Sequence, residues 1–409
     1  MKQAQQVLST YAVDVFGIAS ALYELGGLII MHDASGCNST YNTHDEPRWY
    51  DLPAMVYISG LNEADTIYGN DQRLIDNIAE VVDAGKPTFI AIGGSPMPNA
   101  IGTDYKAIAQ MASRRTGIPA FGFRTDGIHS YLPGAGAAFL TYAKEFLQAP
   151  QKKPQQPARR VNLLGLTPLD FSVVGNATTL KNLITENGFI LQSSWAMGES
   201  PEGLAQAANA DVNAVVSATG FYLAQYMQEA YGIPYVCGLP MGKKGTAGWL
   251  QALRDGDTSY LTGLTGKEKP ARLNRALTKL DAWKVEQVYD DTPCDVLLIN
   301  GEPLQLLSMR QFLADEYGLH DVRLLCPLAD APEPLTTQIE TACSEEAIRR
   351  ECRKARRIIA DPIYARLLPG EEKKFLSFPH EAYSGRHYRD DLPLFVGPDA
   401  RKWLDEKGF

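Results

Sequence analysis

"GLIIMHDASGCNSTY", from Gly27 to Tyr41, starts as an apolar run and ends in a glycine, a cysteine and small polar residues. An apolar run without alternation, Leu28–Met31, reads as a strand buried on both faces, as in a parallel sheet covered by helices. Cys37 then falls past the carboxyl end of that strand, where open α/β sheets present their ligand-binding groups. Two readings of Cys37 stand side by side. It is a small buried residue after a turn that needs Gly36, or it is a thiolate, favoured by a following helix N-terminus and suited to iron.

Working outward, the same kind of run recurs. In the first part of the chain the runs are Ala54–Ile58, Pro87–Ile92 and Ile118–Phe123, separated by helix-like segments at Asp71–Ala84 and Ala100–Thr116. "QAPQKKPQQP", Gln148–Pro157, has no apolar period and reads as a linker. Strand runs resume at Val161–Leu166, Phe189–Ser193 and Val212–Ser217, with a helix near Ala177–Asn187 and helical patterns over Ala271–Tyr289. A third set runs through Asp295–Ile299, Val322–Cys326 and Arg357–Ala360 to a helix near Pro398–Lys407. Strands alternating with helices predict an α/β fold of three Rossmann-like units with mostly parallel sheets. The expected boundaries are 1–150, 158–285 and 290–409.

Composition narrows the function. The 409 residues are 45% hydrophobic and 21% charged with a net charge of -9, an ordinary globular balance that does not suggest a nucleic-acid partner. No apolar stretch reaches the roughly 18 residues of a membrane span. Neither a signal-type leader nor a CxxC pair is visible, so a reducing cytoplasm is expected.

Most familiar motifs fail. There is no GxxxxGK[ST], so ATP hydrolysis is not expected of this chain. "GLPMGKKGTAGW", Gly238–Trp249, lacks phosphate-loop spacing and reads as a strand-to-helix turn with exposed lysines. "PGAGAAF", Pro133–Phe139, reads as a helix start, and Ser95 in "GGSPMP" has no assignable base. None of the six histidines forms a metal-binding spacing. Cys237, Cys294, Cys326, Cys343 and Cys352 read as structural.

The order of motifs resembles the nitrogenase component 1 superfamily. "GLIIMHDASGCNSTY" is similar to the family's strand, His-Gly-Pro and Gly-Cys segment, with Asp33-Ala34 in place of Gly-Pro. "SGLNEADTIYGNDQRLIDNI" (Ser59–Ile78) and "GGSPMPNAIGTDYKAIA" (Gly93–Ala109) resemble two further N-terminal segments. "YLAQYMQEAYGIPYVCGLPMGKKGTAGWLQAL" (Tyr222–Leu253) resembles a second-domain helix, strand and turn, and Phe378–Glu406 the segment that closes the third domain.

The resemblance implies an iron–sulfur cluster of [4Fe-4S] type, shared at a subunit interface and reduced by a separate ATP-hydrolysing iron protein. Family α-type subunits bring three cysteines to that cluster. Here the upstream position falls near Val15-Phe16-Gly17 and the downstream one at Ser95, leaving Cys37 as the metal ligand. One thiolate cannot hold a cluster that usually takes four protein ligands. A homologous partner subunit is therefore expected, in a homodimer or in a heterodimer or heterotetramer. This one-cysteine pattern resembles the β-type member of a cofactor-assembly scaffold. The cofactor thiolate of nitrogenase would fall near Val216-Ser217, without cysteine, so no iron–molybdenum cofactor is expected. "PHEAYSGRH" carries His380, Tyr383 and His387, with His387 near the family's cofactor histidine. His380 and His387 are the candidate catalytic residues, and Tyr383 a candidate cofactor contact. The expected function is a nitrogenase-like oxidoreductase subunit acting on a small molecule or cofactor. The alternatives are a scaffold for metal-cluster or tetrapyrrole assembly, or a homodimeric binding protein without its cluster.

Overall fold

The structure, a computed structural model, describes residues 6–34, 36, 38, 41, 45–151, 158–266 and 292–409. Among these, thirteen strands form three sheets in which every ladder is parallel. The first contains β1 (Leu28–His32), β2 (Met55–Ile58), β3 (Ile90–Gly94) and β4 (Ala120–Gly122), in the order β2-β1-β3-β4. The second contains β5 (Arg160–Leu164), β6 (Ile190–Ser194), β7 (Val212–Val215) and β8 (Tyr235–Cys237), in the order β6-β5-β7-β8. The third contains β9 (Cys294–Ile299), β10 (Val322–Cys326), β11 (Glu340–Thr341), β12 (Ala355–Ala360) and β13 (Phe375–Ser377), in the order β11-β10-β9-β12-β13. The α/β expectation holds.

Each order reverses direction once, between β1 and β3, β5 and β7, and β9 and β12. At such a switch point the connections leave to opposite sides and open a crevice at the strands' carboxyl ends. Those crevices decide where chemistry can sit.

The apolar runs are explained by two-sided burial. In β1, Leu28 and Ile30 pack into an outer cluster with Leu74, Ile78, Ile92 and Ile108. Ile29 and Met31 face the opposite way, into a core that continues through all three sheets. Alternate residues enter two different cores, so no polar position survives along the strand. A shared core also means that the three sheets are not separate packing units.

The "PGAGAAF" pattern has a packing role. Helix Tyr131–Phe146 crosses helix Asp14–Leu22, and a Cβ on Gly134 or Gly17 would overlap the backbone carbonyl of Asp14 or Tyr131. The glycines let the two backbones touch. Ser130 caps the helix by accepting from Leu132 N, and its own N and Oγ donate to Asp330 at 2.6 and 2.8 Å. An acid from the third-sheet region thus fixes the start of a first-region helix and aims Tyr131 inward.

Some expected elements shift. The helical stretch Ala100–Thr116 divides into Pro96–Ala100 and Tyr105–Thr116, because Gly102 turns at φ +78° and Asp104 caps a new helix by accepting from Ala107 N. The terminal helix begins at Arg401 rather than near Pro398. The expected helix at Ala271–Tyr289 lies outside the described residues.

Candidate functional site

At the first switch point, Asp33 follows β1 and Ser95 follows β3, one residue past the paired ends His32 and Gly94. Asp33 is fully buried. Its backbone N donates to Ser59 Oγ at 3.0 Å and its carbonyl accepts from Leu61 N at 2.9 Å. Its Oδ2 accepts from Asn38 Nδ2 at 3.0 Å, whereas Oδ1 is buried with no donor among the described residues. Ser95 Oγ and Tyr105 OH are likewise buried without partners among the described residues. The Tyr105 hydroxyl lies where a side chain on Gly94 would be, so it packs against the end of β3, next to Ser95 in sequence. Burial lowers the pKa of His32, whose Nδ1 lies 2.9 Å from Ser59 Oγ. A buried polar atom left without a partner costs about 1–3 kcal/mol, so such a cluster asks for an occupant. Cys37 itself lies outside the described residues. Around this crevice the next elements expose apolar side chains: Ile67 (66%), Tyr68 (85%), Met97 and Ile101.

The second and third switch points meet. Gly165, at φ +84°, follows β5 with the backbone of Gly220 so close that a Cβ would fall 2.7 Å from its nitrogen. This close turn brings Asp170 beside Ser217, the residue two past β7. Ser217 Oγ donates to Asp170 Oδ2 at 2.6 Å, and Thr167 Oγ1 donates to the same oxygen at 2.9 Å. Tyr131 OH donates to Asp170 Oδ1 at 2.5 Å, and His380 Nε2 lies 3.3 Å from that oxygen. From beyond β9, Glu302 accepts from Ala218 N at 2.8 Å and Gln305 N at 2.6 Å, while Gln305 Nε2 donates to the Asp170 carbonyl at 3.0 Å. Burial, and then the nearby Asp170, raise the Glu302 pKa well above the carboxylate range. From beyond β12, Asp361 accepts from His380 N at 3.0 Å and from the Ser384 hydroxyl. Six segments of the chain thus meet in one buried polar knot.

The structure divides the "PHEAYSGRH" candidates. His380 is buried immediately before helix Glu381–Tyr388, and its Nδ1 has no partner among the described residues. Tyr383, one turn on, stacks between Tyr11 (4.4 Å between centroids) and Tyr364 (5.2 Å). His387 is exposed on the last turn, its ring beside Tyr388. Ser217, where the resemblance puts a cofactor thiolate, has its hydroxyl committed to Asp170. Cys237, Cys294, Cys326 and Cys352 are buried, and burial raises the thiol pKa of the last to about 12. Thiols held protonated in this way are packing residues.

Asp170, Tyr131 and Glu302 were not singled out by the sequence. No local spacing marks them, because Asp170 finds its partners 39, 47 and 210 positions away. One further cluster, Asp14, Asp126 and His129, has metal-type donors within 4.8 Å of one another. Asp14 accepts from Val15 N, Asp126 N and Gly127 N, and Asp126 accepts from Ile128 N, His129 N and His129 Nδ1. That cluster latches a loop.

Residues 25–350 match the family model of nitrogenase component 1 type oxidoreductases. The chain belongs to this family. A nitrogenase iron-molybdenum cofactor biosynthesis protein NifE from Methanosarcina barkeri is 26% identical over 44% of this chain and 40% of its own length. The nitrogenase molybdenum-iron protein alpha chain of Clostridium pasteurianum is 26% identical over 58% of this chain and 44% of its own. One of the subunits of the light-independent protochlorophyllide reductase of Prosthecochloris aestuarii is 28% identical over 42% and 33%. The match thus spans less than half the length of each of these relatives. The solved structure of nitrogenase Cp1 at pH 6.5 superposes with a TM-score of 0.65 at 15% identity, over 100% of this chain and 90% of that one. The fold is that of nitrogenase component 1.

Proposed function

We propose that this chain is one subunit of a nitrogenase-like oxidoreductase whose first switch point holds part of the ligand set of a shared [4Fe-4S] cluster. The observation that carries this reading is the buried Asp33 Oδ1, which has no donor among the described residues, one position past the end of β1, as Ser95 with its likewise unpartnered hydroxyl is one position past the end of β3. Asp33 and Cys37 are the residues that would hold the cluster from this side. A carboxylate oxygen and one thiolate leave the set incomplete, which calls for a homologous partner subunit. The exposed side chains of Ile67, Tyr68, Met97 and Ile101 offer that partner an apolar rim. When bound, the cluster would supply one-electron transfer. The chain's own part is to hold Asp33 through Asn38 and Ser59 and to exclude water with β1 and β3.

An ATP-hydrolysing iron protein is the proposed electron donor, consistent with the missing phosphate-binding motif in this chain. Substrate chemistry is assigned to the His380 segment. His380 stands next to Asp170 and can take up or release a proton at Nδ1, with Tyr383 packed behind it and His387 at the outer end of the same helix. The Ser217 hydroxyl, already bound to Asp170, supports a reading without an iron–molybdenum cofactor. The test is electron uptake. Anaerobic protein mixed with an iron protein of this class should gain a reduced-cluster paramagnetic signal that requires ATP. Absence of any ATP-dependent signal would reject the assignment.

A second reading, a scaffold for cofactor assembly, is favoured by the relatives named as cofactor biosynthesis proteins. It predicts transfer of a bound cluster to an acceptor protein without substrate turnover.

A further inference from the structure

The turn "GLPMGKKGTAGW" lines a cleft of about 470 Å³ between the second and third sheet regions. Helix Gly242–Asp255 begins there, but its N-terminus is already occupied: Lys243 N and Lys244 N both donate to Glu316 Oε1, at 2.9 and 3.2 Å. The cleft opens one turn further along. Gly245 and Gly248 share a helix face, and a Cβ on Gly245 would meet nothing within 4 Å. Opposite them, helix Pro303–Tyr317 presents Arg310 and Asp315.

Arg310 is held ready for an anion. Its Nη2 donates to Gln338 Oε1 at 2.7 Å, and Gln338 Nε2 reaches the carbonyls of Leu261 and Thr262 at 3.5 and 3.4 Å. A guanidinium carries five donors, and among the described residues this one uses a single donor and pairs with no carboxylate. Burial lowers its pKa without a carboxylate acting against the shift. Lys244 also pairs with no carboxylate among the described residues, its Nζ donating to the Asp315 carbonyl at 3.1 Å. Two cations and one acid line the cleft, so its charge is positive on a chain of net charge -9. The volume lies within the roughly 300–1,000 Å³ of small-molecule sites.

We propose that this cleft binds a small organic oxyanion, a carboxylate or a phosphate ester, gripped by Arg310 and Lys244 while Asp315 accepts from a hydroxyl of the same molecule. A planar, partly desolvated guanidinium suits two-point recognition of such a group. Gly245 and Gly248 leave the room that larger side chains would fill. Its lining shares no residue with the three switch points described above, and it needs no cluster.

Calorimetric titration of the full chain at constant ionic strength tests this, with glycerol 3-phosphate, succinate and uncharged glycerol as probes. At least one of the two anions should bind and glycerol should not. Preference for glycerol 3-phosphate assigns a phosphate ester, and preference for succinate a carboxylate. Arg310→Gln and Lys244→Ala should each weaken binding at least tenfold. Gly245→Leu should abolish it with the melting temperature kept, and Lys243→Ala should leave it unchanged. If neither anion binds at millimolar concentration, or if Arg310→Gln and Gly245→Leu bind like the parent, the proposal is overturned.

Discussion

His380 and His387 stand seven residues apart and live in different solvents. The first is buried in contact with Asp170, and the second is exposed on the last turn of helix Glu381–Tyr388. His380→Ala would open a cavity and take a polar neighbour from Asp170, at a cost of about 2–3 kcal/mol. His387→Ala should stay within about 0.5 kcal/mol of the parent. Urea denaturation of the two variants measures the difference, and equal midpoints would contradict the placement of His380. The sequence flagged both histidines through one motif, but burial depends on which face of the helix meets Asp170 and Tyr11, and no local spacing encodes that. Ser217 was legible by position, whereas its hydrogen bond to Asp170 was not.

At the scale of elements, the long apolar runs were readable because a strand with two buried faces is apolar at most of its positions. β1, β3, β5, β9 and β10 all fall within the expected runs or a few residues of them. The short edge strands β11 and β13 carry too few residues to show a pattern. The glycines of "PGAGAAF" were visible, but their reason, a close crossing of helix Asp14–Leu22, is a tertiary fact. Gly134→Val would push a branched side chain into the Asp14 carbonyl and should lower stability by about 3 kcal/mol, seen as an earlier urea midpoint. The loop between those helices carries a pH-dependent latch. His129 Nδ1 lies 2.8 Å from Asp126 Oδ2, and this hydrogen bond is the main cause that raises the His129 pKa from 6.5 to about 8. The folded chain then holds a proton that the unfolded chain releases, so this contribution is complete below about pH 6.5 and lost as pH rises through about 8. It amounts to at most about 2 kcal/mol. Stability measured from pH 6 to 9 should fall more steeply in the parent than in His129→Asn, and identical slopes would remove the latch.

Across the whole molecule, three parallel sheets turn their switch points inward onto a shared core, and two of the three close on each other through Asp170, Glu302 and His380. At the first, Asp33 Oδ1 and the Ser95 and Tyr105 hydroxyls are buried without partners among the described residues. The end of β1 was legible from its apolar run and the glycine after it, whereas Cys37 lies outside the described residues. The unpartnered atoms of Asp33 and Tyr105 were not legible, because they depend on tertiary packing. The most direct test of the central claim is the iron and acid-labile sulfide content of anaerobically purified protein, for the parent, Cys37→Ser and Asp33→Ala, with circular dichroism to confirm the fold. The account predicts iron and sulfide in the parent, loss in Cys37→Ser and a reduced content in Asp33→Ala. An iron-free parent, or a Cys37→Ser variant with undiminished iron and sulfide, would contradict it.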